Sequence, residues 1–507
     1  MLLLEAGGSD KALWYKIPIG FAKSYYNPDS NWMFYSEPEK ELNNRNIYCP
    51  RGKILGGSGT INAMIYVRGL KSDFDMWSQN GNDNWTFDKL LPTFKALETH
   101  PLGETDYHGD KGPIKITQMK HVAHPLCNYY LDACKELESG VTDDFNGQNP
   151  YGGGIYDINV NRGIRSSSNY EYLTPAKKRP NLTIILNAFV SKINFTGKKA
   201  TGVIYNHHGK SVEVKANKEI ILSAGAVHSP ILLQHSGVGD KELLNKHNIK
   251  IIHELSAVGK NLHDHICASY YYEANIKTLN NDLSSLMGKM KLALNYILFR
   301  KGLFGLSVNQ AGGFFYGDNR SAVPNIQLYF NPLSYQIPKD GSNRLKPEPY
   351  SGFLLAFNSC QPTSRGTIEI SGNHFSDKPI IKPNYLSTQH DIDEIIQGSK
   401  LVNRIMNTES MRKVTIRQTV PDYELNDETE ILNYFRENSG SIYHLCGTCK
   451  MGNSPETSVV GQDLKVHGVD GLRVIDASIF PNVTSGNTNA ATMMVALKGA
   501  ELILSRF

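Results

Sequence analysis

Long hydrophobic runs are missing from this 507-residue chain: its longest apolar pieces are of the size of GFLLAF, far short of the roughly 18 residues that span a bilayer. An integral membrane segment is therefore not expected. An excess of one charge is missing too. Lys and Arg number 53 against 49 Asp and Glu, a net +4 without long blocks of one sign, which argues against a nucleic-acid partner. Cysteine is sparse: Cys49, Cys127, Cys134, Cys267, Cys360, Cys446 and Cys449 are an odd number spread over a large chain. That usage excludes a disulfide scaffold and suits a reducing compartment. The C-x-x-C pair Cys446 and Cys449 has no second pair or His cluster to complete a zinc site, so it is read as structural and no metal is expected. A basic n-region followed by an apolar h-region and a cleavage site is also lacking. The expected location is cytoplasmic, with peripheral attachment to a membrane as the other option, and no repeat of fixed period is found.

What is present is the alternation of short apolar runs with helical stretches that marks an α/β protein of more than one unit. The opening MLLLEAGG reads as a buried strand that delivers Glu5 to its carboxyl end, where the second strand of a dinucleotide-binding fold places a ribose-binding carboxylate. A glycine-dense loop, GKILGGSGTINAM at 52–64, follows; its glycines let backbone approach a flat or phosphorylated ligand. In KEIILSAGAVHSPILLQHSG, a strand meets Gly225 and a helix is expected with Ser229 as N-cap and Pro230 at its first position. From 266 to 440 strands such as PNIQLYFNP, GFLLAFNSC and GTIEISG, then the helical HDIDEIIQGSKLVNRIMN, predict an antiparallel-sheet unit.

The tail carries two candidate chemical groups. His444, in GSIYHLCGTCKMG, lies between Tyr443 and an apolar residue. A buried neutral imidazole there could accept a hydroxyl proton; a structural histidine is the other reading. Asn487 precedes an amphipathic helix expected from about 488. It is read either as a plain N-cap or as an amide held at the positive end of a helix dipole, suited to developing negative charge. No nucleophile elbow or clustered metal ligands support a hydrolase or a zinc alcohol dehydrogenase.

LLLEAG, GKILGGSGTINAMIYVRG, LNAFV, ILSAGAVHSPILL, VGKNLHDH, YHLCGTCKMG and LRVIDASIFPNVTSGNTNAATMMVA occur in the order and spacing of the glucose-methanol-choline (GMC) oxidoreductases. The chain resembles that family along its whole length, and most of all its choline dehydrogenase-like branch. The resemblance implies an α/β (α+β overall) fold: a Rossmann-like FAD-binding domain plus an antiparallel-sheet substrate domain. It divides the chain into an FAD-binding half at 1–265 with a lid inserted at about 70–180, a substrate-binding domain at 266–440, and a return to the FAD domain at 441–507. The G-x-G-x-x-G turn that precedes Glu5's strand in the family has no counterpart, so the first strand is expected to be missing. A folded remnant without FAD is accordingly the rival expectation.

The implied activity is FAD-dependent oxidation of a primary alcohol to an aldehyde, with hydride passing to flavin N5 and electrons then to a quinone, another acceptor or oxygen. His444 would take the hydroxyl proton and Asn487 would hold the alcohol oxygen. Flavin contacts would come from Glu5, Ile54, Gly57, Ser58, Asn62, Ala63, Met64, Ile65, Val190, Ala224, Asp476, Ala477 and Thr488. Ile61 stands where some members attach FAD through a histidine, which implies noncovalent FAD. Gln310 stands where choline-type members carry an acidic residue, and Tyr443 offers an aromatic wall; both are expected at the substrate.

Overall fold

The computed structural model describes residues 1–318, 321–336, 346–425 and 427–505. The dominant element is a seven-stranded antiparallel sheet. Its order is Thr415–Val420, Ile266–Ala274, Gly352–Ser359, Ile326–Asn331, Ala311–Phe315 and Gly152–Ile155, with Gly440–Ser441 paired to the start of Ile266–Ala274. The strands Ile326–Asn331 and Gly352–Ser359 are buried at every position, which is why they read as continuous rather than alternating apolar runs: both faces of the sheet are covered. Phe353, Leu355 and Phe357 join one core with Leu401, Val402 and Ile405 of the helix Gln389–Met406. Their neighbours Leu354 and Ala356 join Tyr329 and Phe314 in a second core with Met64, Ile65 and Val67. The period of two along each strand thus assigns one face to structure and the other to the glycine-rich half of the molecule.

That half is built on parallel pairing, as nucleotide-binding α/β units are. Leu2–Leu4 pairs with Thr183–Ile185, and Ile220–Leu222 pairs with Leu472–Val474. A three-stranded antiparallel sheet, Ala188–Thr196, Lys199–His207 and Lys210–Lys215, flanks them. The C-terminal helix Asn489–Leu504 packs on Phe87–Leu97. The GTIEISG strand, Thr367–Glu369, lies outside the large sheet; it forms a hairpin with Ile380–Lys382 against the helix Gly225–His235, and Ile368, Ile381 and Ile231 share its core.

The helix expected to start at Ser229 and Pro230 begins instead at Gly225, so Pro230 is internal. A proline there removes the donor that Ala226 O would receive, and the Thr448 hydroxyl supplies it at 2.6 Å. Ser229 does not cap the helix but donates to Asp476 Oδ2 at 2.6 Å. Among the described residues no helix is long and apolar enough to cross a membrane.

Candidate active site

The strand Leu2–Leu4 ends at Glu5, whose Oε1 accepts the Gly7 N–H at 2.7 Å. Burial raises its carboxyl to about 7, partly opposed by that N–H. The chain then meets the glycine-rich loop. A Cβ on Gly7 would lie 2.0 Å from Lys53 O, so glycine is required where Gly8 and Ile54 form a parallel bridge. Beyond Ile54 the backbone enters the left-handed region at Gly56 and Gly57 and tightens into the 3-10 turn Gly57–Thr60. The Ser58 hydroxyl fixes the turn by accepting from Gly52 N at 3.0 Å. Asn62 Oδ1 accepts from Arg165 and from Met64 N, Ala63 O accepts from Ser307 at 2.9 Å, and Ile65 bridges Ile158.

Asp476 follows the strand Leu472–Val474 and binds across to its parallel neighbour. It accepts from Gly225 N at 2.9 Å and from Ser478 N at 2.8 Å. The first N–H of that helix is therefore taken by a carboxylate of the chain. Ala224 precedes it, and Ala477 O accepts Gly447 N at 3.1 Å, tying this segment to the loop that carries His444. Val190 lies on Ala188–Thr196 beside the bulge between Val190 and Lys192, two residues beyond the contact of Ala188 N with Glu5 O. At Gly8, Gly57 and Gly225 nothing occupies the space within 4 Å of a Cβ position, leaving backbone open to a ligand.

His444 is buried, and three contacts define its state. Its backbone N–H donates to Asp264 Oδ1 at 2.6 Å; the same carboxylate accepts from Ser441 Oγ and, at 2.7 Å, from Tyr385 Oη. Its Nδ1 lies 2.9 Å from His265 Nδ1, and its Nε2 lies 3.3 Å from Asn487 Nδ2. His265 Nε2 faces Cys360 O at 2.9 Å. A carbonyl only accepts, so His265 carries its proton on Nε2 and presents a bare Nδ1. His444 then carries its proton on Nδ1, and its Nε2 lone pair faces Asn487. Burial, His265 and Arg51 hold His444 well below the ordinary imidazole value, so it is a neutral base.

Asn487 is not the N-cap: the helix begins at Asn489 with Thr488 in the cap position and no side-chain cap bond. Freed from that duty, the Asn487 amide turns to His444, and its Oδ1 is buried without a partner. The glycine loop reaches the same helix end, since a Cβ on Gly59 would stand 3.3 Å from Asn489 Oδ1.

Tyr443 holds φ +73°. Its carbonyl accepts from Arg51 at 2.7 Å and its ring meets Tyr25 edge-on at 5.2 Å. Tyr48 lies against the same ring at 6.4 Å, and Tyr329 sits beside Asn487, so phenols crowd this end of the site. Gln310 is tied to two other segments. Its Oε1 accepts His124 N–H at 2.7 Å and its own carbonyl accepts Tyr156 N; none of these bonds reaches His444 or Asn487. The partners Asp264 and His265 were not assigned a role from sequence. The HDH triplet within VGKNLHDH was their one local signal.

The profile described as GMC oxidoreductase matches residues 2–267 in its N-terminal part and 362–496 in its C-terminal part. The chain belongs to the GMC oxidoreductase family. This GMC protein is 37% identical to a protein named oxygen-dependent choline dehydrogenase from Escherichia coli, over 99% of this chain and 90% of that one. The same name and identity recur in Cronobacter sakazakii, over 100% of this chain and 90% of that one. Among solved structures, pyridoxine 4-oxidase from Mesorbium loti is 28% identical with TM-score 0.89, covering 99% of this chain and 94% of its own. Formate oxidase, at 22% identity, superposes with TM-score 0.91 over 100% and 93%, which shows a shared fold. As a GMC oxidoreductase the protein is an FAD-dependent enzyme of alcohol oxidation. Its residues fit that cofactor: open glycine backbone at Gly8, Gly57 and Gly225, a carboxylate at a strand end, and an unpartnered amide oxygen beside a neutral imidazole.

Proposed function

We propose that this enzyme oxidises a primary alcohol to its aldehyde with His444 as the proton acceptor and Asn487 as the amide that holds the alcohol oxygen. The observation that carries this reading is the chain Cys360 O, His265, His444, Asn487, which leaves one imidazole lone pair and one amide N–H converging from 3.3 Å apart. An alcohol oxygen between them donates its proton to His444 Nε2 and receives a hydrogen bond from Asn487 Nδ2, which stabilises the alkoxide as its charge grows. FAD, when bound, supplies the hydride acceptor. Glu5, Gly57, Ser58, Asn62 to Ile65, Val190, Ala224, Asp476, Ala477 and Thr488 would hold the cofactor. Glu5 suits ribose hydroxyls, because hydroxyl donors would favour its ionised form over the neutral form that burial promotes. Ile61, packed with Tyr15 and Ile54, has no atom that could bond to the ring, so FAD is held noncovalently.

Choline-like alcohols are the first substrate reading, drawn from the named relatives. The phenol cluster of Tyr25, Tyr26, Tyr48, Tyr335 and Tyr443 offers faces for an ammonium group. A neutral alcohol is the second reading, because the groups that act on the buried Tyr25, Tyr335 and Tyr443 are phenols, a thiol and Arg165, with no carboxylate among them. Electrons pass on to a quinone, another acceptor or oxygen. The seven buried free cysteines support a reducing, cytoplasmic location. The remnant reading is not favoured at 37% identity along 99% of the chain. Anaerobic mixing of the yellow protein with choline and with neutral primary alcohols tests the proposal. Loss of flavin absorbance is expected with at least one, and a yellow protein that none of them reduces would overturn it.

A further inference from the structure

The helix Leu286–Phe299 is built the wrong way round for a surface helix of a water-soluble domain. Leu286, Met287, Met290, Leu294, Ile297 and Leu298 are 57–77% exposed. At 100° per residue these positions fall within one stripe about 120° wide, so the exposure is a face and not scattered single residues. The opposite side anchors the helix: Tyr296 is buried with its hydroxyl on Gly163 O at 2.7 Å, and Leu292 packs on the core that the sheet shares with Met64, Ile65 and Val67. Ser285 caps the first turn through Gly288 N at 2.9 Å. The helix is thus held firmly with its apolar side outward.

Charge completes the pattern. Lys289 and Lys291 lie on the two flanks of the stripe, and Arg300 and Lys301 follow its end, all exposed. No Asp or Glu occurs between Asp282 and Asp318. Along one flank runs a groove of about 380 Å³, where Lys291 stands beside Leu294, Leu298 and Phe299, with Asp282 as its one carboxylate among four cations along the helix and its end. An ammonium next to apolar walls is what a headgroup phosphate above its first methylenes would meet. A second copy of this chain is the less suitable occupant, since a two-fold contact would press two such cation sets together without a carboxylate from either stretch.

We propose that this face docks the enzyme on an anionic lipid surface, with the stripe at the level of the acyl carbons and the four cations among the headgroups. The inference rests on this helix alone and stands whether or not the proposed substrate chemistry holds. The test is co-sedimentation of the full-length protein with vesicles of phosphatidylcholine alone or mixed with phosphatidylglycerol. Binding to the mixed vesicles that weakens with salt is expected. Met290→Ser/Leu294→Ser/Ile297→Ser should lower the partition coefficient at least about tenfold, as should Lys289→Gln/Lys291→Gln on anionic vesicles. Neither should change the thermal melt or the flavin spectrum, because these side chains are exposed. A wild-type protein that stays in the supernatant with anionic vesicles at low salt overturns the proposal. So does a wild-type dimer, seen by sedimentation velocity, that the triple serine variant converts to monomer, because the face is then occupied by a second copy.

Discussion

Two buried pairs of histidines in this molecule sit in opposite surroundings. His265 and His444 meet Nδ1 to Nδ1 at 2.9 Å, and their ring nitrogens face a carbonyl and an amide but no carboxylate. His100 and His108 stack at 3.7 Å, and their nitrogens are met by Asp157, Glu98 and Asp144 at 2.7–2.9 Å, with Arg68 completing the cluster on Glu98. Burial lowers both His265 and His444. Burial also acts to lower His108, but its bonds to Asp144 and Glu98 outweigh it and raise the group to about 9. The same side chain is held neutral at His444 and cationic at His108, as a strap between carboxylates, and the difference lies in where the carboxylates go. In the active site Asp264 is spent on backbone and hydroxyl donors, so it positions His444 without charging it.

The largest effect that breaks this contrast is His444→Ala, which should slow anaerobic flavin reduction by about 10²- to 10⁴-fold while FAD stays bound; stopped-flow absorbance reads both. Asn487→Ala should cost on the order of 10²-fold in the same measurement, as loss of a donor to a developing oxyanion does. His108→Gln leaves the chemistry alone but should lower stability by about 2–3 kcal/mol near neutral pH, seen in urea unfolding. His265→Phe removes the acceptor that fixes the His444 tautomer and should slow reduction by roughly tenfold. Because His265 also depresses His444, the acid limb of kcat/KM should move to higher pH in that variant, which simple loosening would not produce.

The smallest effect is in the pH dependence of the melt. The folded-state values of His263, His265 and His444 lie below 6.5. Their contribution is complete above that unfolded-state value and is lost as pH falls. His108 contributes fully below 6.5 and loses its contribution as pH rises through about 9. The histidine contribution to the melting temperature should therefore decline on both sides of about pH 6.5, with Glu5 and Asp73, raised to about 7 and about 6, acting against the acid-side decline, and His108→Gln should flatten only the alkaline decline. An unchanged alkaline limb would remove the strap from the comparison.

Sequence pattern located the long helix Gln389–Met406 and the all-buried strands, because periodicity and burial are local properties; it also located the strand before Glu5, but Leu2–Leu4 is exposed to half-buried and not the buried strand expected. It read Ser229 as a cap, and Asn487 as occupying a cap position under either of its two readings, for a shared reason. Ser and Asn before an apolar run are cap vocabulary, but here each side chain is claimed by a group hundreds or tens of residues away, Asp476 and His444. Pro230 looked like a helix start because the hydroxyl that replaces its missing donor comes from Thr448. Gln310 was placed at the substrate by family pattern, whereas its carboxamide oxygen holds the His124 backbone. The His265–His444 contact joins residues 179 apart, a pairing that no window along the chain contains.

The alternation along Gly352–Ser359 has a consequence for how such an enzyme changes. Odd positions meet the helix behind the sheet and even positions meet Met64, Ile65 and Val67, so two separate cores are written on one strand in two interleaved alphabets. Drift at Leu354 or Ala356 can alter the packing against Met64, Ile65 and Val67 while the packing behind the sheet stays constant, whereas an insertion of one residue would exchange the two scripts and spoil both.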